Sequence, residues 1–304
     1  MIDDKKIEYY KQTYFCNGEP VKYTLSKGHI VQGDNDTETA EKGEIEIYPI
    51  MLKDAQSFLW CEDIININKN AINDINAITS TYLDYLLTTI IPKENVKLSD
   101  NVMATQLYRL LKLVLKGEIE QGFNIMFYMD EQYTICRDYE TKKPVIALVK
   151  LNDDTKQIVE LKEINEKEFD DICKIIKFQN DPYYIDRYVS PDVQKMVNDY
   201  YRLKNKNDKT EQPSLEKQKA FVTSKTGLTL SQLNEFTYRY FIEVYQSCLN
   251  SELYIGQKII QGSFKYDIKE DIVHPMFEPQ KDPIAEAFGG DVTSFENKIN
   301  NINN

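Results

Sequence analysis

The chain has 304 residues, of which 41% are hydrophobic and 12% aromatic, so it can bury a sizeable core in one large domain or in two to three small ones. Its formal net charge is -12, and an acidic chain does not gather the phosphate contacts that hold nucleic acids. We therefore expect no nucleic-acid partner and assign the acidic excess to a solubilising surface, with an acidic inhibitor or DNA mimic as the alternative.

The cysteines and the apolar runs indicate the cellular compartment of the protein. The five cysteines are widely spaced and form no C-x-x-C pair, which fits a reducing cytosol. The opening MIDDKKIEYY is acidic and polar, unlike a signal peptide. No apolar run approaches the roughly 18–20 residues of a membrane span, so we expect a cytoplasmic protein without a membrane partner.

The first 50 residues combine short strands with polar sequence. Val21 to Leu25 and Ile45 to Ile50 are rich in β-formers or alternate in polarity, which predicts two strands. The stretch between them, residues 32–44 (QGDNDTETAEKGE), is polar and contains glycine near both ends. It is predicted to be a loop or the tip of a hairpin.

Three helices are predicted next. Asp54 can cap the first, and the second, around Tyr82 to Ile91, ends at Pro92. The third begins at Ser99 and carries apolar residues at a spacing of three and four. Gly117 is the natural C-cap of that third helix.

In residues 123–161 the hydrophobic pattern changes to the two-residue period of a strand. NIMFYM and YTIC flank an Asp-Glu pair, and VIALVKL and QIVELKEI flank NDDT. These pairs predict two β-hairpins, or one four-stranded antiparallel sheet.

Helical patterns return after this sheet. Residues 165–168 (NEKE) form a capping box, with Ile164 and Phe169 at the two positions of a hydrophobic staple. Ser190 and the proline after it start another helix. Residues 204–212 (KNKNDKTEQ) contain no apolar side chain and are the best internal boundary.

The last third begins with two capped helices. Ser214 opens a short helix that ends near Gly227, and residues 229–232 (TLSQ) form a second capping box. The helix that follows has one broad apolar face, carried by Leu233, Phe236, Tyr240, Phe241, Val244, Tyr245 and Cys248. After Pro279 the sequence predicts a mobile tail.

These elements predict an α+β fold that is mostly α-helical with a small antiparallel β-sheet. We expect short strands and then helices in residues 1–118, and the hairpin sheet with further helices in residues 119–203. Residues 213–279 form a C-terminal helical region, and residues 280–304 form the mobile tail.

Histidines and short motifs provide little evidence for an enzyme. His29 is predicted to lie in a loop and His274 precedes a proline, whereas triads and most zinc sites need a histidine held by a second group. Ser214 and Lys217 match S-x-x-K, and residues 225–227 match the K-T-G of penicillin-binding enzymes. Those enzymes place K-T-G on a strand far from the serine, so the match is excluded here.

Metal-binding patterns also fail. Residues 34–38 (DNDTE) resemble the start of a calcium loop, but glycine and glutamate are missing from positions six and twelve. The neighbours Asp170 and Asp171 point in different directions on a helix, and Asp181 and Asp186 lie in a Pro/Tyr-rich loop. We predict no catalytic residue, no cofactor and no metal; the alternative is an enzyme whose site is assembled from dispersed carboxylates.

Several stretches carry a family resemblance. These are EINEKEFDDICKIIKFQND (163–181), PSLEKQKAFVTSKTGLTLSQLNEFTYRYFIEVYQ (213–246), IKEDIVHPMF around His274 and IYPIMLKDAQSFL near Tyr48. Together they resemble an uncharacterised family encoded in the tail-morphogenesis regions of phages and prophages of low-GC Gram-positive bacteria. The shared motifs are structural rather than chemical, so the resemblance implies no catalytic residue.

The resemblance implies a tail assembly protein of chaperone type, which binds the tape-measure protein or tube subunits in the host cytoplasm. The alternative is a minor structural component retained in the virion, in the baseplate, the neck or on the capsid. We predict that Tyr238 and Tyr254 contact the partner, because they lie off the apolar face and tyrosine suits protein interfaces.

Overall fold

The computed structural model describes residues 16–32, 36–40, 43–67, 79–130, 132–152, 154–182 and 213–263. The predicted helix from Ser190, the linker at 204–212, His274 and the tail after Pro279 lie outside the described residues. The predicted α+β class is confirmed: the fold is mostly helical with small antiparallel sheets.

The strands are β1 (Val21–Leu25), β2 (Lys27–Gln32), β3 (Asp36–Ala40), β4 (Gly43–Ile47), β5 (Phe123–Met126), β6 (Ile146–Leu151) and β7 (Ile158–Ile164). The helices are α1 (Ala55–Cys61), α2 (Asp63–Asn66), α3 (Tyr82–Tyr85), α4 (Val102–Val114), α5 (Lys116–Glu120), α6 (Glu166–Asn180), α7 (Leu215–Thr226), α8 (Leu230–Asn234) and α9 (Tyr238–Gln261). Helix α3 continues as a wide π-type turn over Leu86–Ile90, and single 3-10 turns cover Leu52–Asp54, Pro92–Glu94 and Leu98–Asp100.

The described residues fall into two compact units. Unit 1 contains residues 16–182 together with 229–242, and unit 2 contains residues 213–228 and 243–263. Helix α9 therefore contributes its first turn to unit 1 and the rest of its length to unit 2. The boundary predicted at residue 118 falls inside unit 1.

A five-stranded antiparallel sheet in the order β3-β2-β7-β6-β5 forms the centre of unit 1. The predicted second hairpin is confirmed, since β6 pairs with β7 from Ile146 opposite Ile164 to Leu151 opposite Ile158. The predicted first hairpin is reduced to a short antiparallel contact at its end, and β5 itself pairs with β6. The YTIC segment bridges Tyr128 through Ile135, and Met129 N donates to Thr134 O at 2.8 Å and Cys136 N to Phe127 O at 3.0 Å.

The N-terminal strands are confirmed, and the segment predicted to be a loop or the tip of a hairpin contains a strand in its described part. Strands β1 and β4 form a two-stranded antiparallel sheet, with Val21 opposite Ile47. Part of the predicted loop forms β3, which pairs with β2, and β2 in turn joins β7 of the five-stranded sheet. His29 consequently lies in strand β2 and not in the predicted loop.

The predicted helices of unit 1 exist with corrected ends. Asp54 precedes α1 but makes no side-chain capping bond. Helix α4 starts later than Ser99, because Asn101 is its N-cap and accepts from Ala104 N at 2.8 Å. Gly117 is not a C-cap: it lies within α5, where an added Cβ would come 3.0 Å from the Tyr48 ring.

Helix α6 begins at the predicted capping box, which is confirmed. The Asn165 side chain accepts from the N–H groups of Lys167 and Glu168, and the Glu168 carboxylate accepts from Asn165 N. The same carboxylate accepts from Ser26 N at 2.6 Å, so one side chain joins the start of α6 to the turn between β1 and β2.

Backbone hydrogen bonds connect residues 229–242 to the rest of unit 1. Leu52 N donates to Phe236 O at 2.8 Å, and Tyr238 N donates to Ile50 O at 2.7 Å. Arg239 is almost fully buried and its guanidinium donates to the carbonyls of Phe178 and Asp181, which are acceptors left free at the end of α6. This segment therefore completes the core of unit 1.

The core of unit 1 packs the inner faces of both sheets against helices. Its members come from β1 and β4, from helices α1 to α4, from β5 and β6, and from the inner face of α6. Strand β6 is buried at four successive positions, which shows that helices or loops cover both of its faces.

Candidate functional site

The most exposed apolar surface that the structure describes lies in unit 2, on the second half of helix α9. Four aliphatic side chains there are 46% to 68% exposed: Leu253, Ile255, Ile259 and Ile260. A groove of about 420 Å³ runs beside them, and it is lined by Phe221 and Lys225 of α7 and by Leu249, Glu252, Leu253, Gly256, Gln257 and Ile260 of α9. Leu253 and Ile260 line this groove, whereas Ile255 and Ile259 lie roughly 160° and 120° round the helix from Leu253. We call the groove with its exposed Leu253 and Ile260 the aliphatic face.

The local sequence explains both walls of the groove. Helix α7 starts where Ser214 accepts from Lys217 N and ends where Gly227 adopts the left-handed conformation, as predicted. On α9 the groove residues Leu249, Leu253, Gly256 and Ile260 recur at a spacing of four, three and four, which places them on one side of a helix. An added Cβ at Gly256 would meet no atom within 4 Å, so this glycine leaves the floor of the groove open.

The groove has an aromatic end. The Phe221 ring packs against Tyr245 with centroids 5.9 Å apart and an interplanar angle of 82°. Lys225 Nζ lies 5.9 Å from the Phe221 centroid and pairs with Glu252 at 2.6 Å. Because both ends of this pair are about 40% exposed, it contributes little to stability and mainly gives the groove a polar rim.

Tyr238, predicted to contact a partner, is placed differently from the prediction. Its ring packs partly buried against the core, 6.0 Å from the Phe58 ring, rather than lying off the apolar face. Burial, with the nearby charges of Glu62 and Asp181, raises the pKa of Tyr238 to about 12. Nothing in the structure tests its predicted role in partner binding.

Tyr254, the second predicted contact residue, is half-buried in α9, with Lys258 Nζ 5.6 Å from its ring centroid. Its helical position lies roughly 100° from Leu253, so it does not line the groove. The structure thus brings neither tyrosine to the aliphatic face. The signal that would have found this face was the spacing of Leu249, Leu253 and Ile260, which continues beyond the predicted apolar stripe.

The motifs considered for catalysis have structural roles. Ser214 caps α7, and the K-T-G at its end forms the C-terminal turn of the same helix. Asp171 accepts from Tyr23 OH at 2.9 Å, which ties α6 to β1. Asp186 and the first residues of the calcium-like stretch lie outside the described residues.

Buried thiols and acid clusters offer no reactive group where the structure describes them. Burial raises the pKa of the Cys61 and Cys136 thiols to about 11, so neither is a thiolate at neutral pH. In the described ranges no three His, Cys, Asp or Glu side chains are grouped as a metal site requires. Within the same ranges, every helix is too short or too polar to cross a membrane.

A scan against protein-family models, a search of curated proteins and a search of solved structures each found no match to this chain.

Proposed function

We propose that this chain is a phage tail assembly protein of chaperone type, which holds the tape-measure protein or a tube subunit on the aliphatic face of unit 2. The family resemblance supports the partner class. The observation that carries the choice of surface is the exposed run of leucine and isoleucine on α9, next to an open groove.

Apolar area that is exposed to water costs free energy, and a partner that covers this area removes that cost. Each square ångström of apolar surface removed from water stabilises a complex by about 25 cal/mol before the costs of association. Soluble proteins rarely expose contiguous apolar patches unless these bind a partner. Leu253 is 60% exposed and Ile260 is 46% exposed, so covering them with an amphipathic helix would bury surface that is open now.

The charged rim of the aliphatic face orients a bound partner but adds little to the affinity. Lys225 and Glu252 present opposite charges on one edge of the groove. Exposed charges of this kind influence the rate and register of association more than its strength. A chaperone needs such a surface, because it must release its client when the tail is assembled.

The test is co-expression with defined partners. Tape-measure protein and tube subunit encoded in the same gene region are each expressed with the tagged chain, and co-purification is measured. We expect one of them to co-purify with the wild type and to be lost from the double variant Leu253→Ser/Ile260→Ser. Val102→Ser, which alters a 50% exposed side chain on α4, is the matched control and keeps the partner.

The same experiment separates the alternatives. If neither tail protein co-purifies with the wild type, the proposal is wrong. Detection of the chain in purified virions would instead favour the minor structural component, because an assembly chaperone leaves before the particle is complete.

A further inference from the structure

A second concave site lies in unit 1. It is a cleft of about 230 Å³ between the α1–α2 junction, the end of α6 and the first turn of α9. Its apolar walls come from Phe58, Leu59, Ile65 and Tyr238. Three charged side chains, Glu62, Asp181 and Lys177, also line it, and Asp181 already has an interaction partner.

Glu62 and Lys177 carry opposite charges, and neither is neutralised by the other. No hydrogen bond or ion pair joins the Glu62 carboxylate or the Lys177 ammonium to another side chain of the described residues. Both side chains are half-buried. A structural salt bridge would have brought them together, so their separation across one cleft calls for another explanation.

Their environments penalise both charges. Burial, followed by the charges of Asp63 and Asp181, raises the pKa of Glu62 above its ordinary value. Burial lowers the pKa of Lys177, and the nearby Cys173 and Asp170 oppose this only in part. A cleft that holds perturbed and unpaired groups of this kind is a typical binding site.

The rest of the cleft is built from groups that already have partners. Asn180 accepts from Ile50 N and donates to Ile176 O, so its amide is satisfied. Arg239 supplies donors to the carbonyls at the end of α6, which leaves Lys177 as the cation available to a ligand. The rings of Tyr238 and Phe58 form an aromatic wall of the same cleft, with their centroids 6.0 Å apart.

We propose that this cleft binds a small zwitterion, a molecule with one ammonium and one carboxylate joined by an apolar body. The ammonium pairs with Glu62, the carboxylate pairs with Lys177, and the apolar body lies against Phe58 and Tyr238. One such ligand relieves both desolvated charges at once, which a cation or an anion alone cannot do. The volume is below the roughly 300–1,000 Å³ of sites for drug-sized ligands, so the occupant has the size of an amino acid.

The test uses two zwitterions of different charge spacing, leucine and ε-aminocaproate, titrated calorimetrically into the full chain at neutral pH. Leucinamide and isocaproate are the matched probes that each lack one charge of leucine, and caproate lacks the ammonium of ε-aminocaproate. We expect at least one zwitterion to bind and its single-charge analogues to bind at least about tenfold more weakly.

Variants assign the contacts. Lys177→Met and Glu62→Gln should each weaken binding of the zwitterion about tenfold or more. Each variant should weaken binding of a single-charge analogue less when the substituted residue is the one that the analogue cannot contact. Lys167→Met and Glu120→Gln make the same charge changes at exposed positions and should leave affinity unchanged. Circular dichroism checks that all four variants fold, which is expected because each removes a charge that is either unpaired or exposed.

The proposal is overturned if neither zwitterion binds the wild type, or if the single-charge analogues bind as tightly as the zwitterion. It is equally overturned if folded Lys177→Met and Glu62→Gln bind the zwitterion with the affinity of the wild type.

Discussion

The Lys162 ammonium is the most deeply buried cation with a described ion-pair partner. It lies 2.7 Å from the Glu118 carboxylate, donates to Glu44 O at 3.0 Å, and sits 4.6 Å from the centroid of the Phe123 ring. The side chains of Lys162 and Glu118 are only 12% and 3% exposed. This one amine therefore ties α5, β4, β5 and β7 together.

Glu118→Gln should destabilise unit 1 by about 3 kcal/mol, because removing one partner leaves a desolvated ammonium without its counter-charge. Denaturant unfolding measures the change. Glu252→Gln breaks an ion pair of the same length whose ends are both about 40% exposed, and it should cost less than about 1 kcal/mol. Equal costs for the two variants would show that burial does not set the strength of these pairs.

Asp138 makes the free energy of unfolding depend on pH. Burial alone would raise its pKa, but bonds from Thr141 N at 2.6 Å and from Lys27 Nζ at 2.9 Å outweigh this and hold the pKa well below the ordinary 3.8. A depressed folded pKa adds stability that is fully present above the ordinary value and is lost as the pH falls below it towards the folded pKa.

Asp138→Asn keeps an oxygen for Thr141 N but removes the charge. We expect it to be less stable than the wild type at pH 7, with the difference shrinking once the pH falls below 3.8. Chemical unfolding of both proteins across this range provides the measurement. A difference that stays constant down to pH 2 would mean that the carboxylate charge contributes nothing.

The helix starts at the two capping boxes were predictable because the information is local. Both capping boxes occur where four consecutive residues specify them, at 165–168 and 229–232. The second hairpin was predictable for the same reason. The pairing of β2 with β7 was not, because Gly28 lies opposite Lys162 and no local period indicates a partner so far along the chain.

The two caps should differ in their contribution. Asn165→Ala removes bonds to two backbone N–H groups and the contact of its amide with Ser26 Oγ, and it should cost about 1–2 kcal/mol. Thr229→Ala affects an exposed cap on a five-residue helix and should cost about 0.5–1 kcal/mol. Shifts of the denaturant midpoint report both, and unchanged midpoints would show that neither cap stabilises the native state.

Gly117 illustrates a residue whose role depends on a distant contact. A glycine after an apolar run resembles a C-cap, yet this one adjoins the Tyr48 ring, which Glu46 holds through a 2.7 Å bond. Only the folded chain brings that ring close. The same limit applies to Tyr238, which looked exposed from its helical position but packs on Phe58, a residue of another helix.

Unit 1 is discontinuous along the chain, and its last segment should be required for its stability. Phe241 is fully buried, so Phe241→Ala should cost about 3–5 kcal/mol. Tyr254→Ala, on the same helix but half-buried in unit 2, should cost clearly less. Thermal unfolding compares them, and a Phe241→Ala variant as stable as the wild type would mean that residues 229–242 do not belong to the core.

The proposed binding surface lies in the same region of the chain as Tyr238 and Tyr254 but on other side chains. Aromatic content directed attention to Tyr238 and Tyr254, whereas the exposed area on α9 is aliphatic and begins where the predicted stripe ends. Whether an apolar stripe belongs to the core or to an interface depends on its burial, and the burial of this stripe depends on which side chains α7 covers. A stripe of leucine and isoleucine in the sequence alone does not tell core from interface.

Binding of a tail protein to the aliphatic face is tested most directly by the affinity of the purified chain for the tape-measure protein or tube subunit that co-purifies with it. We predict that Leu253→Ser/Ile260→Ser weakens this affinity at least about tenfold, since each truncation removes on the order of 1–2 kcal/mol of apolar burial. Val102→Ser should leave the affinity unchanged. An unchanged affinity for the folded double variant would contradict the account.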